Sequence, residues 1–520
     1  QLPLGISKAF TLNLFSGAIG AVTCCLVAML GSKLIRHRDY SAYARSSVAA
    51  TVTLMGAVAG ALFFAYSDAM WRYSVILMPY ALTALSTVII LWTIFEWWRR
   101  EAVGAQPDSR LFLILLLFGL DLSVHRTNML MLPGFLLWVL IFQPCVYRRG
   151  RSWAAGAAGL FAGLAFHLLI MPMAARDPAL NFGDPGTWRR FYEYMSLQQY
   201  GGSWLVNMWP RNASFVYQLK NYFGDFRNNF LSYGGILAYL PLVLFHIGMI
   251  VLGRRDFKLL TGLLILFFCL SLGAVIFFNV PDQYIFPMDR HYIPSFVIFG
   301  IFLVIGTGSM MRTVLERTGG FRLLAVPLAL ILVLSMPIKQ VMRNYDRLDG
   351  SERFFGYDFA HNILSTVQSG AIVIVQGDNY WAVRGLQVLE DMRPDVTVLS
   401  TSLLNTRWYI EQITESYDDL PLSFTEEELE GLAPVPWQDT TIVTQVEGDP
   451  EIYQLWESIG GSSGAEGVEA PSATESAELR ENAALPDTFS IAVPPSLPSG
   501  MLLVQDRVLI RMIERNRWRR

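Results

Sequence analysis

The chain has 520 residues, of which 53% are hydrophobic and only 16% are charged. A soluble chain of this length would carry about 25% charged residues, so the composition excludes an ordinary soluble enzyme and indicates a polytopic membrane protein. The net charge of −3 says little about partners, and no nucleic acid is expected among them.

Eight apolar windows have about the length that a helix needs to cross a bilayer, roughly 20 residues. They lie at 11–31, 47–66, 75–95, 153–173, 233–253, 258–279, 293–310 and 322–338. A further apolar stretch, 111–143, is interrupted by polar residues and is best divided into two short passes, 111–120 and 129–143. The predicted fold class is therefore an α-helical polytopic membrane protein with about ten membrane segments.

The polar break inside 111–143 holds Asp121, His125, Arg126 and Asn128. Ionisable groups at membrane depth are costly and are usually kept for a substrate, an ion or a lipid headgroup. His125 and Arg126 both interrupt an apolar run, so a functional role is favoured for the pair. We expect this break to be part of the active site.

Lysine and arginine are distributed unevenly between alternate connections. The connections that hold three or four of them each are 32–46, 96–110, 144–152, 252–258 and 311–322. Those that hold one each are 67–74, 121–128 and 280–292. Because these residues accumulate in cytoplasmic loops, the second set is predicted to be external. We expect an integral protein of a bacterial inner membrane, with everything after about Lys339 external, that is, periplasmic.

Two domains are predicted: a transmembrane domain, 1–339, and a small external α/β module, 340–520. In the module, Ala371–Val375 and Val396–Leu399 have the pattern of buried strands on either side of a helical stretch near 380–391, which predicts a β-α-β unit.

Two other segments are notable for their composition. The external loop 174–232 is rich in Trp, Tyr and Phe, which favour the membrane interface, and amphipathic helices on the bilayer surface are expected there. The segment 459–486 is rich in Gly, Ser, Ala and Glu and is predicted to be a flexible loop within the module.

Two further polar clusters fall on the predicted external face. One is the 67–74 turn, with Asp68 and Arg72. The other, in 280–292, contains Asp282 and Tyr284 and then the run Asp289-Arg290-His291-Tyr292. Arginine and histidine here suit a phosphate, since arginine offers two parallel N–H donors, and a carboxylate beside them could act as a general base.

The candidate phosphate-binding residues are His125, Arg126, Asn128, Arg290 and His291. The secondary candidates are Asp68, Arg72, Asp121, Asp289, Tyr292 and Asp378. Simpler explanations compete: an arginine at a membrane boundary often extends to the headgroups, and Gly377-Asp378-Asn379 after a strand is ordinary turn chemistry. The chain has no phosphate-binding glycine loop and no H-E-x-x-H motif, so neither nucleotide nor metal chemistry is predicted and no cofactor is expected.

Several stretches together resemble one family. They are Leu12-Asn13-Leu14-Phe15-Ser16-Gly17, Gly119-Leu-Asp-Leu-Ser-Val-His125-Arg-Thr-Asn128, Asp289-Arg-His-Tyr292-Ile-Pro-Ser-Phe296, Tyr357-Asp358-Phe-Ala-His-Asn362, Gly377-Asp378-Asn379, Arg393-Pro-Asp395-Val and Ser402-Leu-Leu-Asn405-Thr-Arg-Trp408-Tyr409. In this order they resemble multi-pass membrane proteins with a domain of unknown function that are related to protein O-mannosyltransferases, within the GT-C glycosyltransferase superfamily.

The resemblance implies a GT-C fold and a transferase that moves a sugar, typically mannose, from a polyprenyl-phosphate donor to an external acceptor, a protein or a glycan. Membrane lipids and other membrane subunits are further expected partners. The candidate phosphate-binding residues would then hold the donor phosphate, with His125, Arg126, Arg290 and His291 favoured for this role.

Two departures from the family pattern bear on activity. The acidic catalytic motif of such enzymes follows their first helix, so the catalytic acid is expected to lie before Gln1. The family also tends to have a glutamate where this chain has Met78. A non-catalytic scaffold subunit is therefore the main alternative, and a transporter, which predicts broken helices in both halves, ranks last.

Overall fold

The computed structural model describes residues 8–39, 46–101, 108–179, 181–196, 198, 214–231, 236–279, 286–417, 420–436, 440–445, 488–493 and 501–515. Asp282, Tyr284 and the predicted flexible loop 459–486 lie outside the described residues. The chain forms two compact units: a membrane unit, Gln1–Ile170 with Gly201–Ser351, and a second unit, Met171–Tyr200 with Glu352–Arg520.

Helices account for most of the chain up to Leu348. They are α1 (Lys8–Arg36), α2 (Ser47–Ala65), α3 (Asp68–Ser74), α4 (Pro79–Glu101), α5 (Asp108–Asp121), α6 (Met131–Phe142), α7 (Cys145–Arg148), α8 (Gly150–Leu164), α9 (Ile170–Ala174), α10 (Trp188–Met195), α11 (Phe215–Phe230), α12 (Leu240–Arg255), α13 (Phe257–Leu270), α14 (Leu272–Phe277), α15 (Ile293–Arg317) and α16 (Arg322–Leu348). Short 3₁₀ turns at Arg126–Leu130, Ala165–Leu169, Ile236–Tyr239, Phe286–Tyr292 and Gly319–Phe321 lead into several of them.

Within the described residues, eight helical stretches are long and apolar enough to cross a bilayer. They are Lys8–Arg36, Ser47–Ala65, Pro79–Glu101, Gly150–Ala174, Leu237–Arg255, Phe257–Phe277, Met288–Arg317 and Gly319–Leu348. Each overlaps one of the eight long windows predicted from the sequence, which confirms a helical polytopic membrane protein. The count of about ten is not confirmed, because α5 has only 14 residues and Arg126–Phe142 is likewise a shorter apolar helix.

Helix α15 forms the centre of the membrane unit: within the Met288–Arg317 stretch, 94% of the most apolar window is buried. Glycines allow its close packing against α12. A Cβ atom on Gly306 would collide with the carbonyl of Leu244, and one on Gly248 with the carbonyl of Phe302. Small residues let helices in membranes approach closely enough for backbone contact, so α15 provides a rigid support for the residues that precede it.

The second unit contains the predicted β-α-β arrangement. Strand β1 (Ile372–Val375) pairs in parallel with β2 (Thr397–Ser400), and α18 (Asn379–Glu390) connects them. The remaining elements are α17 (Phe355–Thr366), α19 (Arg407–Ser416), α20 (Glu426–Glu430), β3 (Val435–Pro436), β4 (Thr440–Gln445), β5 (Thr488–Val493), β6 (Met501–Leu502) and α21 (Val504–Arg515). Strands β3 and β6, and likewise β4 and β5, form antiparallel pairs, so the small sheets are confined to the C-terminal region.

The boundary between the units falls after Ser351 rather than after residue 339, because α16 continues as one helix to Leu348. The predicted external loop 174–232 contributes to both units. Its described parts include the two helices α10 and α11, as the aromatic composition of the loop predicted.

Candidate functional site

The three polar clusters that the sequence placed on one face do meet in the structure. Arg72, from α3, reaches the turn before α15, and Thr127, from the polar break, reaches the same turn. The described parts of the clusters therefore form one site at the end of the membrane unit where α15 begins. We call this the Arg290 end, after the residue at its centre.

An ion-pair network joins α3 to the turn before α15. The Arg72 guanidinium donates from Nη2 to Asp68 at 2.5 Å and from Nη1 to Asp289 at 3.2 Å. The Tyr73 hydroxyl donates to the other Asp289 oxygen at 2.9 Å, and Arg347 pairs with Asp68. Asp68 and Asp289 are thus ion-paired with Arg72, and a network of this kind can hold neighbouring side chains in position.

Two histidines share one threonine hydroxyl. Thr127 Oγ1 lies 2.7 Å from His125 Nδ1 and 3.3 Å from His291 Nδ1. The backbone N–H of Thr127 also donates to His125 Nδ1 at 3.3 Å, so that nitrogen is an acceptor. The hydroxyl has a single proton, and the short contact assigns that proton to His125. His291 then donates from Nδ1 to Thr127, and His125 carries its own proton on Nε2.

The His125 imidazole is neutral at physiological pH. Burial lowers its pKa to about 4, and the positive charges of Arg290 and Arg126 act in the same direction. A buried histidine beside two guanidinium groups loses its proton readily. In this structure His125 therefore offers a phosphate an N–H donor rather than a positive charge, which is left to the arginines.

Arg290 is the cation at the centre of the site. Its guanidinium carbon lies 5.5 Å from the centre of the Tyr80 ring, a cation–π distance. Its Nε is buried and has no hydrogen-bond partner among the described residues. The Tyr80 ring is also 5.2 Å from the His125 ring and 5.9 Å from the His291 ring. A spare guanidinium N–H beside two imidazoles is a suitable environment for an oxyanion.

Other candidates are placed inside the helix bundle. Asn128 is fully buried; its side chain accepts from the Thr87 hydroxyl at 3.0 Å and donates to the Thr83 carbonyl at 3.3 Å. Asp121 is buried as well, and neither of its carboxylate oxygens has a hydrogen-bond partner among the described residues. Asn128 anchors the polar break to α4, so its predicted phosphate contact remains a prediction.

The remaining candidates differ in position. Tyr292 is buried with its ring 4.8 Å from that of Tyr222, so it packs α11 against the start of α15. Arg126 is half-buried next to His125. Asp378 lies in the second unit, exposed at the start of α18 after Gly377, whose φ is +60°. That geometry is the turn that the sequence favoured.

Sequence reasoning missed one acidic residue, Asp225 on α11. It is half-buried and accepts a hydrogen bond from Asn221 at 3.2 Å. Burial and the negative charge of Asp289 raise its pKa to about 7, against the opposing effect of the Arg72 charge. A signal was present: Asn221, Asp225 and Asn229 recur every four residues on an otherwise aromatic helix, which places them on one face.

No group of three His, Cys, Asp or Glu side chains in the described part of the chain could hold a metal ion. The described side chains of the site can bind an anion, through Arg290 and the His125 N–H, and can accept a proton, through Asp225. This combination suits transfer of a group from a phosphate leaving group.

Comparisons with known proteins agree on a family. A family model described as the protein O-mannosyl-transferase TMEM260 N-terminal domain matches residues 2–149, and one described as TMEM260-associated domain 2 matches residues 356–457. No solved structure matches the chain.

Two curated relatives are similar in sequence. The protein O-mannosyl-transferase tmem260 of Dictyostelium discoideum is 23% identical over 68% of this chain and 46% of its own length. The protein O-mannosyl-transferase TMEM260 of Mus musculus is 23% identical over 79% of this chain and 56% of its own length. The chain thus spans about half the length of these relatives. The chain is thus similar, at 23% identity, to proteins of an O-mannosyltransferase-related membrane family.

Proposed function

We propose that the chain acts as a glycosyltransferase that moves a sugar, mannose in the first instance, from a polyprenyl-phosphate donor to a hydroxyl of a protein acceptor. The observation that carries the proposal is Arg290, whose buried Nε has no partner among the described residues, at the same end of the membrane unit as His125. The names of the relatives support the choice of sugar and acceptor.

The chemistry follows from the donor. The bond between the sugar C1 and the phosphate oxygen breaks, the acceptor oxygen bonds to C1, and the acceptor proton passes to a base. Negative charge grows on the departing phosphate, where fixed donors stabilise the transition state more than the ground state. Arg290 supplies a charge and an N–H there, and His125 supplies a second N–H.

Asp225 suits the role of base. It has no ion pair within 4 Å among the described residues, unlike Asp68 and Asp289, and its pKa of about 7 is close to the value at which a general base works best. Asp225 is therefore proposed as the acidic group that acts on the acceptor side of the same site.

The donor reaches the site through the membrane. A polyprenyl chain stays in lipid while its phosphate lies at the interface, at the end of the bundle where Arg290 sits. The lysine and arginine distribution assigns that end to the external face, which for a bacterial inner membrane is the periplasm. No cofactor takes part in this scheme.

The test compares two arginines. Arg290→Ala should lower the transfer of radiolabelled mannose from polyprenyl-phosphate mannose to acceptor protein about 100-fold, the loss typical of a removed oxyanion donor. The transfer rate is measured in membranes that contain the whole protein as it is produced in its own organism. Arg99→Ala is the matched control, because Arg99 lies at the opposite end of α4 and pairs only with the nearby Glu96 in the described structure; it should leave the rate unchanged.

Equal rates in the two variants, at equal protein levels, would remove Arg290 from the donor site. If the unaltered protein itself transfers no sugar while remaining folded in the membrane, the scaffold alternative replaces the enzyme.

A further inference from the structure

The second unit contains a cavity of about 210 Å³, and all the residues that line it belong to that unit. The segment before α10 forms one wall, and α18 and α19 form the others. Six aromatic side chains line it: Phe182, Tyr380, Trp381, Trp408, Tyr409 and Tyr417. Pockets for drug-sized ligands start at about 300 Å³, so this volume suits a single ring of a larger molecule.

The aromatic rings hold one another in fixed orientations. The Phe182 ring lies 6.0 Å from Trp381 and 5.3 Å from Trp408, and the Tyr380 ring lies 4.9 Å from Trp381 at an angle of 71°. The pairs of Phe182 with Trp408 and of Tyr380 with Trp381 are edge-to-face, which is a favourable arrangement. Trp381 is nevertheless 40% exposed, so part of a large, rigid indole surface is accessible from solvent at the cavity.

Polar groups of both kinds line the same cavity. Arg384 offers N–H donors, Asp177 offers carboxylate acceptors, and Gln412 offers an amide with one of each. Arg384 also donates to the Ala179 carbonyl at 3.3 Å, which ties α18 to the segment before α10. Gln412 donates to the Asn181 carbonyl at 3.4 Å, so Arg384 and Gln412 are both held against this segment.

This mixture of groups indicates the class of ligand. A pyranose ring has an apolar C–H face that can lie on an indole and a rim of hydroxyls that both donate and accept. A phosphate is disfavoured, because Asp177 is present alongside Arg384. A purely apolar side chain would leave the polar lining without partners, which costs binding free energy.

We infer that this cavity binds a pyranose residue of a glycan, with Trp381 as its stacking surface and Arg384, Asp177 and Gln412 contacting the hydroxyls. The site recognises a sugar without reacting with it, since its lining shows no cluster of the kind found at the Arg290 end. The inference goes beyond the proposed transfer and does not depend on it.

The experiment is saturation-transfer NMR on the full chain in lipid nanodiscs. The probes are methyl α-D-mannopyranoside, methyl β-D-glucopyranoside and N-acetyl-D-glucosamine, each at millimolar concentration. At least one should show transfer to its ring protons, and Trp381→Ala should reduce that transfer at least about fivefold, whereas Trp381→Phe should retain most of it. Trp188→Ala is the matched control, because Trp188 is an exposed tryptophan of the same unit that does not line the cavity; it should change nothing.

Two results with the sugar probes would overturn the inference: no transfer to any of them, or equal transfer in Trp381→Ala and in the unaltered protein. A tryptophan-containing tripeptide serves as a fourth probe. A Trp381-dependent signal from the tripeptide alone would also overturn the inference and would make the cavity a site for protein segments. Arg290→Ala should keep the sugar signal. Failure of this site can therefore be distinguished from failure of the transfer reaction.

Discussion

The histidines at the two ends of the membrane unit have different hydrogen-bond partners. At the end opposite to the Arg290 end, which we call the Asp256 end, His37 Nε2 lies 3.1 Å from an oxygen of Asp256. The same carboxylate oxygen accepts from Trp98 at 3.1 Å and pairs with Arg38 at 3.3 Å. At the Arg290 end, by contrast, the two histidines share only a hydroxyl.

This difference separates structure from function. A buried carboxylate surrounded by donors is satisfied internally and holds helices together. A buried arginine N–H without a partner in the described structure, next to two imidazoles, represents donor capacity that folding has not used. The Asp256 carboxylate therefore acts as a structural clamp, and the Arg290 end is a site prepared for a ligand that brings its own negative charge.

The largest expected effect is on stability at the Asp256 end. Asp256→Ala should lower the free energy of unfolding by about 3–5 kcal/mol, since it leaves buried donors uncompensated, and should lower the thermal unfolding temperature in detergent by many degrees.

The same prediction has a pH dependence. Burial opposes ionisation of Asp256, but hydrogen bonds from His37, Trp98 and the Leu259 N–H lower its pKa. A carboxylate whose pKa is lower in the folded state stabilises the folded protein at pH values above its unfolded-state pKa. The difference in stability between the variant and the unaltered protein should therefore shrink as the pH falls below about 4. An unfolding temperature equal to that of the unaltered protein at pH 7 would show that the clamp carries no stability.

The next effect is on the reaction at the Arg290 end. Thr127→Val has nearly the same shape but removes the hydroxyl that both histidines use. We expect transfer to fall about tenfold, which corresponds to about 1.4 kcal/mol of transition-state stabilisation, through misplacement of His125. The measurement is the rate of mannose transfer together with KM for the lipid donor.

Thr127→Ser restores the hydroxyl and is the control; it should recover most of the rate. Thr127 is a positioning residue in this scheme, so the loss should appear in kcat more than in KM. A rate unaffected by the valine substitution would mean that the shared hydroxyl does not orient His125.

The smallest effect concerns Asp225 and has the opposite pH dependence to Asp256. Because burial raises its folded-state pKa to about 7, the folded protein holds a proton that the unfolded chain releases above about 4. Stability should fall as the pH rises from 4 to 7. Asp225→Asn should therefore raise the unfolding temperature by a few degrees at pH 8 and leave it nearly unchanged at pH 4. An equal shift at both values would contradict the raised pKa.

The sequence was sufficient to predict the long helices but not the contacts between them. Each of the eight windows stood out because crossing a bilayer requires some 20 apolar residues in a row. The contact of Arg72 with Asp289 joins residues 217 positions apart, and no local pattern specifies such a pair. The lysine and arginine distribution could assign both to one face but could not show that they pair with each other.

The same limit explains the uneven outcome at the candidate site. His125, Arg290 and His291 were visible because charged and imidazole groups are rare in apolar runs. Asn128 lies in the same run, yet its amide hydrogen-bonds to Thr87 and Thr83. These contacts follow from the packing of the polar break against α4, which the local sequence does not specify. Asp225 was missed because α11 lies in a loop whose aromatic residues suggested a surface helix.

The burial of α15 has a consequence for biogenesis. It belongs to the seventh of the eight long helical stretches in chain order, yet α1, α2, α4, α12 and α13, which precede it, pack against it. Helices made earlier by the ribosome must therefore wait in the bilayer with their future contact faces turned to lipid or to one another. Arg72 and Thr127 meet Asp289 and His291 only once this late helix has inserted, so the anion site is assembled near the end of membrane integration.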